Sequence, residues 1–394
     1  MTININSIIA AIEAQISSFD SATPLPNMIK AFKAYDEVGG KTYIAYDSAG
    51  VLPLADSSNE GMIVYTLSDK FLRKYNSVNN VWDRLDSDTF VDLEPAGPAP
   101  VWSVQGDTYG YVIGGNNGPL YNSMDKYQFA TAVSTVDVGD AAYQTQEATG
   151  SMYSETAGFV TGTSRPVGRG YMQQFSFVSD GNASLVGTTQ VGTTTYNLGT
   201  AAGATSGDYG FISGAYVPGR NSIVKYPFAT VDAAVQLIGT LSATRYYGAG
   251  TSSLVDGYTS GGNPPSVGLN IIEKYPFVID GGSSIDVGDL TFTCARSAGI
   301  SSETHGYTCG GAGDPVGRKN KIYFASGGNG TLVGNMRVSA AAGLSGSNSH
   351  TDGFLHNPGA PNQIQRFPFA SDFDVEENHG NLVVSRLLHC GHSY

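Results

Sequence analysis

The sequence predicts an all-β fold: six repeats of one four-stranded unit, preceded by a small N-terminal module. Two observations carry this. An anchor pattern recurs at a nearly constant spacing from residue 101 onward, and the composition suits short strands joined by tight turns. The first anchor is a Gly-aromatic pair: Gly110-Tyr111, Gly158-Phe159, Gly210-Phe211, Gly257-Tyr258, Gly306-Tyr307 and Gly353-Phe354, spaced 48, 52, 47, 49 and 47 residues apart. The second is an aromatic pair with one residue between: Tyr127/Phe129, Phe175/Phe177, Tyr226/Phe228, Tyr275/Phe277 and Phe367/Phe369, with Ile322/Phe324 as the variant. The third is a Val/Ile-Gly step read as a turn, at Gly139, Gly187, Gly239, Gly288, Gly334 and, most weakly, Gly380. A period near fifty with four short strands per unit points to a β-propeller. Aromatics two apart on a strand share a face and are placed to pack between neighbouring blades.

The composition agrees. Charged residues make up 14% of 394, against the roughly 25% of an ordinary domain. Glycine (51) and tyrosine (23) are abundant, so exposed strand faces are made polar by hydroxyls more than by charges. A further glycine precedes the Gly-aromatic strand, read at Gly150, Gly203, Gly250, Gly299 and Gly343. A sixth, Gly391, lies at the end of the chain with no strand after it, while the first unit lacks its own. Circular closure follows: the last strand completes the first blade and removes free sheet edges. The count is then six blades. Seven is the alternative, with residues 61–86 supplying three strands of an extra blade.

The first hundred residues differ in kind. Ile8, Ile12 and Ile16 recur at helical spacing, so residues 5–18 read as an amphipathic helix. Residues 27–37, with Met28, Ile29 and Phe32 on one side, read as a second. Thr42-Tyr43-Ile44-Ala45-Tyr46 is strand-like, residues 62–65 and 71–75 look like a hairpin, and Val81-Trp82 follows. A proline-rich break at 95–100 reads as a linker. The expected organisation is a helical anchor (1–40), a small β module (41–95) and the propeller (101–394).

A net charge of −13 makes the chain a poor partner for nucleic acid. Cys294, Cys309 and Cys390 are too few for a disulfide scaffold and are expected as small buried hydrophobes. The N-terminus has no basic n-region and no long apolar run, so neither a signal peptide nor membrane insertion is expected.

The order of the anchors resembles the kelch repeat, without the tryptophan of the kelch fourth strand in most units. Ile272-Glu273-Lys274-Tyr275-Pro276-Phe277 and Asp286-Val287-Gly288-Asp289-Leu290 resemble repeats of virion structural proteins from marine tailed bacteriophages, cyanophages among them. So do Tyr46-Asp47-Ser48 through Gly61-Met62 and the closing His389-Cys390-Gly391-His392-Ser393-Tyr394. The resemblance implies a virion component, assembled in the host cytoplasm as a homo-oligomer. The N-terminal region would bind other virion proteins, and the propeller a host-surface glycan or protein in the manner of a tail fibre or spike. A nozzle or decoration protein that binds only other subunits is one alternative, a carbohydrate-active propeller enzyme another.

No catalytic, cofactor or metal signature is read, and the expectation is a non-enzyme. His305, His350, His356, His379, His389 and His392 lack metal-ligand spacing and are expected in solvated loops. Ser206-Gly207-Asp208-Tyr209-Gly210 resembles the start of a sialidase Asp box but reads as a turn. The residue before the aromatic pair is basic in five repeats, at Lys126, Lys225, Lys274, Lys321 and Arg366. These either form a ring for partner contact or cover aromatic surface with their stems; the second is preferred. The expected contact residues are Ile8, Ile12 and Ile16 on the N-terminal helix and Asn263, Pro264 and Asp314 in loops that vary between repeats.

Overall fold

The computed structural model describes residues 103–394, apart from short stretches between strands such as 162–169, 216–220, 338–342, 357–361 and 372–376, together with the backbone of five earlier strands. The chain divides into two compact units, Met1–Pro100 and Val101–Tyr394. In the first, Lys30–Lys33, Thr42–Tyr46, Ile63–Thr66, Phe71–Asn76 and Val81–Arg84 form one sheet in chain order. The second and third strands run parallel and the other neighbours antiparallel. The predicted hairpin is therefore present. The predicted helix over 27–37 is not: Lys30–Lys33 is a strand, paired from Lys30↔Ala45 to Lys33↔Thr42. The stripe of Met28, Ile29 and Phe32 fits a helix, but so short a helix is marginal without a partner. Thr42–Tyr46 offers the same backbone groups a ladder, and tertiary pairing overrides so weak a local preference. The helix read over 5–18 lies outside the described residues.

The second unit is a six-bladed β-propeller. Blade one holds Cys390–Ser393 as its inner strand, then Tyr109–Ile113, Ser123–Gln128 and Val136–Asp140 outward. The inner strands of blades two to six are Thr149–Tyr153, Ala202–Thr205, Ala249–Ser252, Ala298–Ser301 and Ser345–Asn348. The three strands between 63 and 84 belong to the separate sheet of the first unit, which removes the seven-blade alternative. The chain end closes the ring as expected, with Cys390↔Ile113 to Ser393↔Gly110 in register. One anchor shifts: the inner-strand glycine of blade six is Gly346, not Gly343, which precedes the strand.

The aromatic anchors form the blade interfaces. Each second-strand aromatic meets the third-strand pair of the next blade. Ring centroids lie 5.0 Å apart for Tyr111 and Phe177, 4.2 Å for Phe159 and Phe228, and 4.5 Å for Phe211 and Phe277. They lie 4.8 Å apart for Tyr258 and Phe324, and 5.3 Å for Tyr307 and Phe369. Phe354 on Phe129, at 4.7 Å, joins blade six back to blade one.

The Val/Ile-Gly step is not a turn. It lies within the outer strand, at a β-bulge that recurs where that strand pairs with the third strand. The bulge rotates the residue before the glycine inward, so Val186, Ile238 and Val333 are buried. The glycine then admits the next blade's loop to the outer edge. Gly328 N–H donates to the Val287 carbonyl at 2.7 Å, and Gly330 N–H to that of Asp289 at 2.8 Å. A Cβ on Gly288, whose φ is +146°, would collide with the Gly328 carbonyl. Loops from the next blade bond in the same way to Val138, Val186, Thr240 and Asn381, which covers these edges.

The inner edges are satisfied by different means. The N–H groups of Thr205, Ser252, Ser301 and Asn348 each bond the side chain of the following blade's last inner residue: Ser252, Ser301, Asn348 and Ser393, at 2.9 to 3.3 Å. These polar residues are buried because a neighbouring backbone donor needs them. Between them the glycines of adjacent inner strands pack backbone to backbone, and a Cβ on Gly250 would sit on the Gly203 carbonyl oxygen. Gly250→Ala is therefore expected to lower stability by about 2 kcal/mol or more, since overpacking at an immovable backbone cannot relax. Gly118, at φ +87° with nothing within 4 Å of its missing Cβ, is the control. Its Ala variant should lose only about 1 kcal/mol through conformation. Urea unfolding midpoints compare the two directly.

A second recurrent pair of positions, described in five of the six blades, lies on a blade's third strand and on the segment leading to its inner strand. Five residues before the inner glycine stand Thr145, Leu198, Arg245, Cys294 and Arg386, all buried. The third strand faces this position with Gln173, Val224, Glu273, Asn320 and Asp125, also buried. In three blades the types match. Arg245 pairs with Glu273, Arg386 with Asp125 at 2.8 Å, and Leu198 shares an apolar cluster with Val224.

Candidate functional site

The propeller axis has two ends with different chemistry. At the lower end, where the inner strands finish, the chain itself enters the unit. Segment 103–106 crosses the axis and is tied down on several sides. Asn348 Nδ2 donates to the Val104 carbonyl at 2.8 Å, Gln105 Nε2 to that of Ser301 at 3.0 Å, and Gly106 N–H to that of Asn348 at 2.9 Å. The Tyr153 hydroxyl also donates to the Val104 carbonyl. Beside this stopper remains a cavity of about 450 Å³ lined by serines, Leu254, Glu303 and His350. His350 bonds Asp107 at 2.8 Å and lies 3.8 Å from Glu303, all of them exposed.

At the upper end, where the inner strands begin, a smaller cavity of about 100 Å³ is lined by residues 200–203, 247–250, 296–299, 343–346 and 388–391 of five blades. Its collar is a chain of hydrogen bonds between blades. Tyr247 N–H donates to the Thr200 carbonyl at 2.5 Å and Arg296 N–H to that of Tyr247 at 2.8 Å. Gly343 N–H donates to the Arg296 carbonyl at 3.2 Å, and Leu388 N–H to that of Gly343 at 3.2 Å. Every member is left-handed, with φ of +72° (Thr200), +61° (Tyr247), +61° (Arg296), +82° (Gly343) and +56° (Leu388). Four of these carry side chains, and such strain persists only where surrounding structure over-determines it. The collar does this by holding both backbone groups of Tyr247, Arg296 and Gly343, and one each of Thr200 and Leu388.

Two collar residues form an aromatic-cationic pair. The Arg296 guanidinium lies 4.3 Å from the Tyr247 ring centroid, and Tyr246 flanks Tyr247 at 5.0 Å, tilted by 60°. Asn263, one of the predicted contact residues, stands here: it exchanges two backbone hydrogen bonds with Tyr246, at 2.7 and 3.3 Å. Pro264 and Asp314, like Ile8, Ile12 and Ile16, lie outside the described residues. Tyr246, Tyr247 and Arg296 are not among the contact residues read from the sequence. Tyr247 and Arg296 share an offset, three residues before the inner glycine, and that alignment alone could have pointed to them.

The histidines depart from expectation. His305 and His350 have access to solvent, but His356, His379, His389 and His392 are buried. His392 lies in the closing strand and His389 just before it; His356 and His379 stand in blade six. His356 Nε2 bonds the Tyr127 hydroxyl at 2.9 Å, and its Nδ1 the Ser345 hydroxyl at 2.8 Å; His389 Nδ1 meets the same hydroxyl at 2.7 Å. His392 Nε2 donates to the Phe159 carbonyl at 2.8 Å, reaching into blade two. His379 takes the bulged position that Val or Ile holds elsewhere and donates to the Gln128 carbonyl at 2.7 Å. Burial pushes His356 down to about 3 and His392 to about 4, and lowers His389 and His379 as well. These rings are neutral members of the core.

The basic positions before the aromatic pair follow the preferred reading at Lys126, Lys225 and Lys321, which lie over tyrosine rings, whereas Lys274 and Arg366 pair with carboxylates. Lys126 Nζ lies 4.0 Å above the Tyr109 ring and 2.9 Å from Asp180; Lys225 lies 5.2 Å above Tyr209. Lys274 meets Asp256 at 3.3 Å and Arg366 meets Asp352 at 3.0 Å. The Ser206–Tyr209 stretch is a turn, Ser206 Oγ accepting from Tyr209 N–H at 3.2 Å. The three cysteines are buried and form no disulfide with one another. Among the described residues no group of His, Cys, Asp and Glu is arranged to hold a metal. No model of a known protein family matches the chain, and no curated protein matches it.

Proposed function

We propose that this chain is a bacteriophage virion structural protein of tail-fibre or spike type. Its N-terminal region binds other virion proteins, and its propeller contacts the host surface. One observation carries the reading: the two ends of the axis are unlike. The lower end is stoppered by the chain's own entering segment, held by Asn348, Gln105 and Tyr153. The upper end carries a rigid collar with Tyr247 and Arg296 on it. A tyrosine- and asparagine-bearing surface on a stiff scaffold suits adaptable polar recognition. The sequence resemblance to phage repeats supports the same reading.

Purified protein should bind saturably to host cells or to lipopolysaccharide extracted from them, and not to cells outside the host range. A map of the intact particle should show a propeller at its periphery. Association with the particle without any cell binding would replace the receptor role by that of a nozzle or decoration protein. Hydrolysis or oxidation of host glycans by the pure protein would overturn the non-enzymatic reading.

A further inference from the structure

The geometry points to the upper collar as a binding site for a carboxylate-bearing saccharide, with Arg296 taking the carboxylate and Tyr246 and Tyr247 the sugar face. The assignment rests on the receptor reading above and names the ligand class it would use. Its first support is the state of Arg296. Arg245, Arg366 and Arg386 each have a carboxylate partner within the protein. Among the described residues Arg296 has none; its only partner is the Tyr247 ring, 4.3 Å away. A ring contact engages the face of a guanidinium, not the N–H donors on its edge, so these remain for a further partner. That fork matches the two oxygens of a carboxylate. In a chain of net charge −13, an arginine with no counter-ion beside the axis is out of keeping with its surroundings.

The second support is rigidity. The Tyr247 and Arg296 backbones are fixed in left-handed conformations by collar bonds to the Thr200 and Gly343 backbones, and Asn263 pins Tyr246 from the side. A site held in place before binding loses little freedom when the ligand arrives. The third support is shape. The cavity at the collar, about 100 Å³, has room for several waters or an acidic group but not for a whole sugar. The ligand's charged end would enter and displace water. Its ring would remain at the mouth against the tilted tyrosines, whose faces suit the C–H side of a pyranose. Among the described residues the equivalent collar positions of other blades carry Thr200, Gly343 and Leu388, so the pair of Tyr247 and Arg296 lies to one side of the axis; the blade-two position, residue 147, lies outside the described residues.

The test is calorimetric titration of the full-length protein with tetragalacturonate, its methyl ester and the neutral maltotetraose. Tetragalacturonate should bind; the ester, which keeps the ring and loses the charge, and maltotetraose should bind at least about tenfold more weakly. Arg296→Gln should weaken tetragalacturonate by a similar factor while the melting temperature stays at the wild-type value. Lys225→Gln, a cation over a tyrosine elsewhere, should change nothing. No tetragalacturonate binding at millimolar concentration, equal binding of acid and ester, or an undiminished Arg296→Gln affinity would each overturn the site. The ester comparison needs no variant and stands even if Arg296→Gln fails to fold. Failure here alongside retained host-cell binding leaves the receptor reading intact. Binding through Arg296 by a protein absent from particles would sink the virion reading and keep the site.

Discussion

Arg245→Leu is expected to destabilise the propeller by about 3–5 kcal/mol, because it strands Glu273 in the interior without its counter-ion. Glu273 is 0% exposed, and its remaining partners are the Ser242 N–H and the Ser284 hydroxyl, each at 2.6 Å. Arg245 also donates to the Gly261 and Ile271 carbonyls at 3.1 and 3.3 Å, and these would lose a donor. The protein contains its own control. Blade three has Leu198 and Val224 at the same two positions, both fully buried in one apolar cluster. The double variant Arg245→Leu/Glu273→Val copies that pair into blade four. It should recover most of the loss and fall within about 1–2 kcal/mol of wild type, the residue being the unpaired Ser242 N–H. Urea unfolding of the two single variants and the double, read as a thermodynamic cycle, checks this. Strict additivity of the two single effects would show that the two side chains are not coupled and sink the account.

Acidification from pH 8 to pH 5 should cost the fold about 4 kcal/mol through His356 and His392 alone, or about 2 kcal/mol each. The sign follows from their native values of about 3 and about 4, both below the ordinary histidine value of 6.5. The unfolded chain therefore binds protons that the native state refuses. The contribution is fully present above pH 6.5 and is lost as pH falls, until the native values are reached. His389 and His379 act in the same sense. Asp125 acts in the opposite sense, since burial raises its carboxyl. Subtraction removes that term: His392→Gln keeps a donor for the Phe159 carbonyl and should flatten the stability profile between pH 8 and 5 by about 2 kcal/mol. An unchanged profile in that variant would mean that His392 is not held neutral. The first part of the molecule to open should be blade one. Its inner strand is joined to the rest of its blade only by non-covalent pairing with Tyr109–Ile113, and His392 lies within that strand with His389 next to it.

Much of the architecture is legible in the residues. The Gly-aromatic step and the aromatic pair recur because every blade meets its neighbour through the same interface, so one packing solution is written six times. The closing strand is legible because Gly391 has its repeat context but no strand after it. The upper site is only partly legible. Asn263 is marked by its place in a variable loop. Tyr247 and Arg296 carry no local signal beyond their offset from the inner glycine.

The misreadings share a cause. Lys30–Lys33 has a helical pattern and becomes a strand because Thr42–Tyr46 is there to pair with it. The outer-strand glycines read as turns because Val-Gly is a turn-like dipeptide. They serve a bulge because the next blade's loop must pass where a Cβ would stand. The histidines read as solvated because nothing nearby in the chain marks them as core. His356 is buried by Tyr127, 229 positions away, and His392 by Phe159, 233 away.

By itself, the sequence determined the strand period, a ring of six or seven blades, the closure by the last strand and the burial of the aromatic pairs. All of these follow from local pattern and from repetition. The tertiary structure alone decided which polar residues are core, which cations have counter-ions, and which end of the axis the chain seals. Those properties depend on residues far apart in sequence. A charge is paired or unpaired, and an imidazole wet or dry, only once closing the ring has fixed its neighbours.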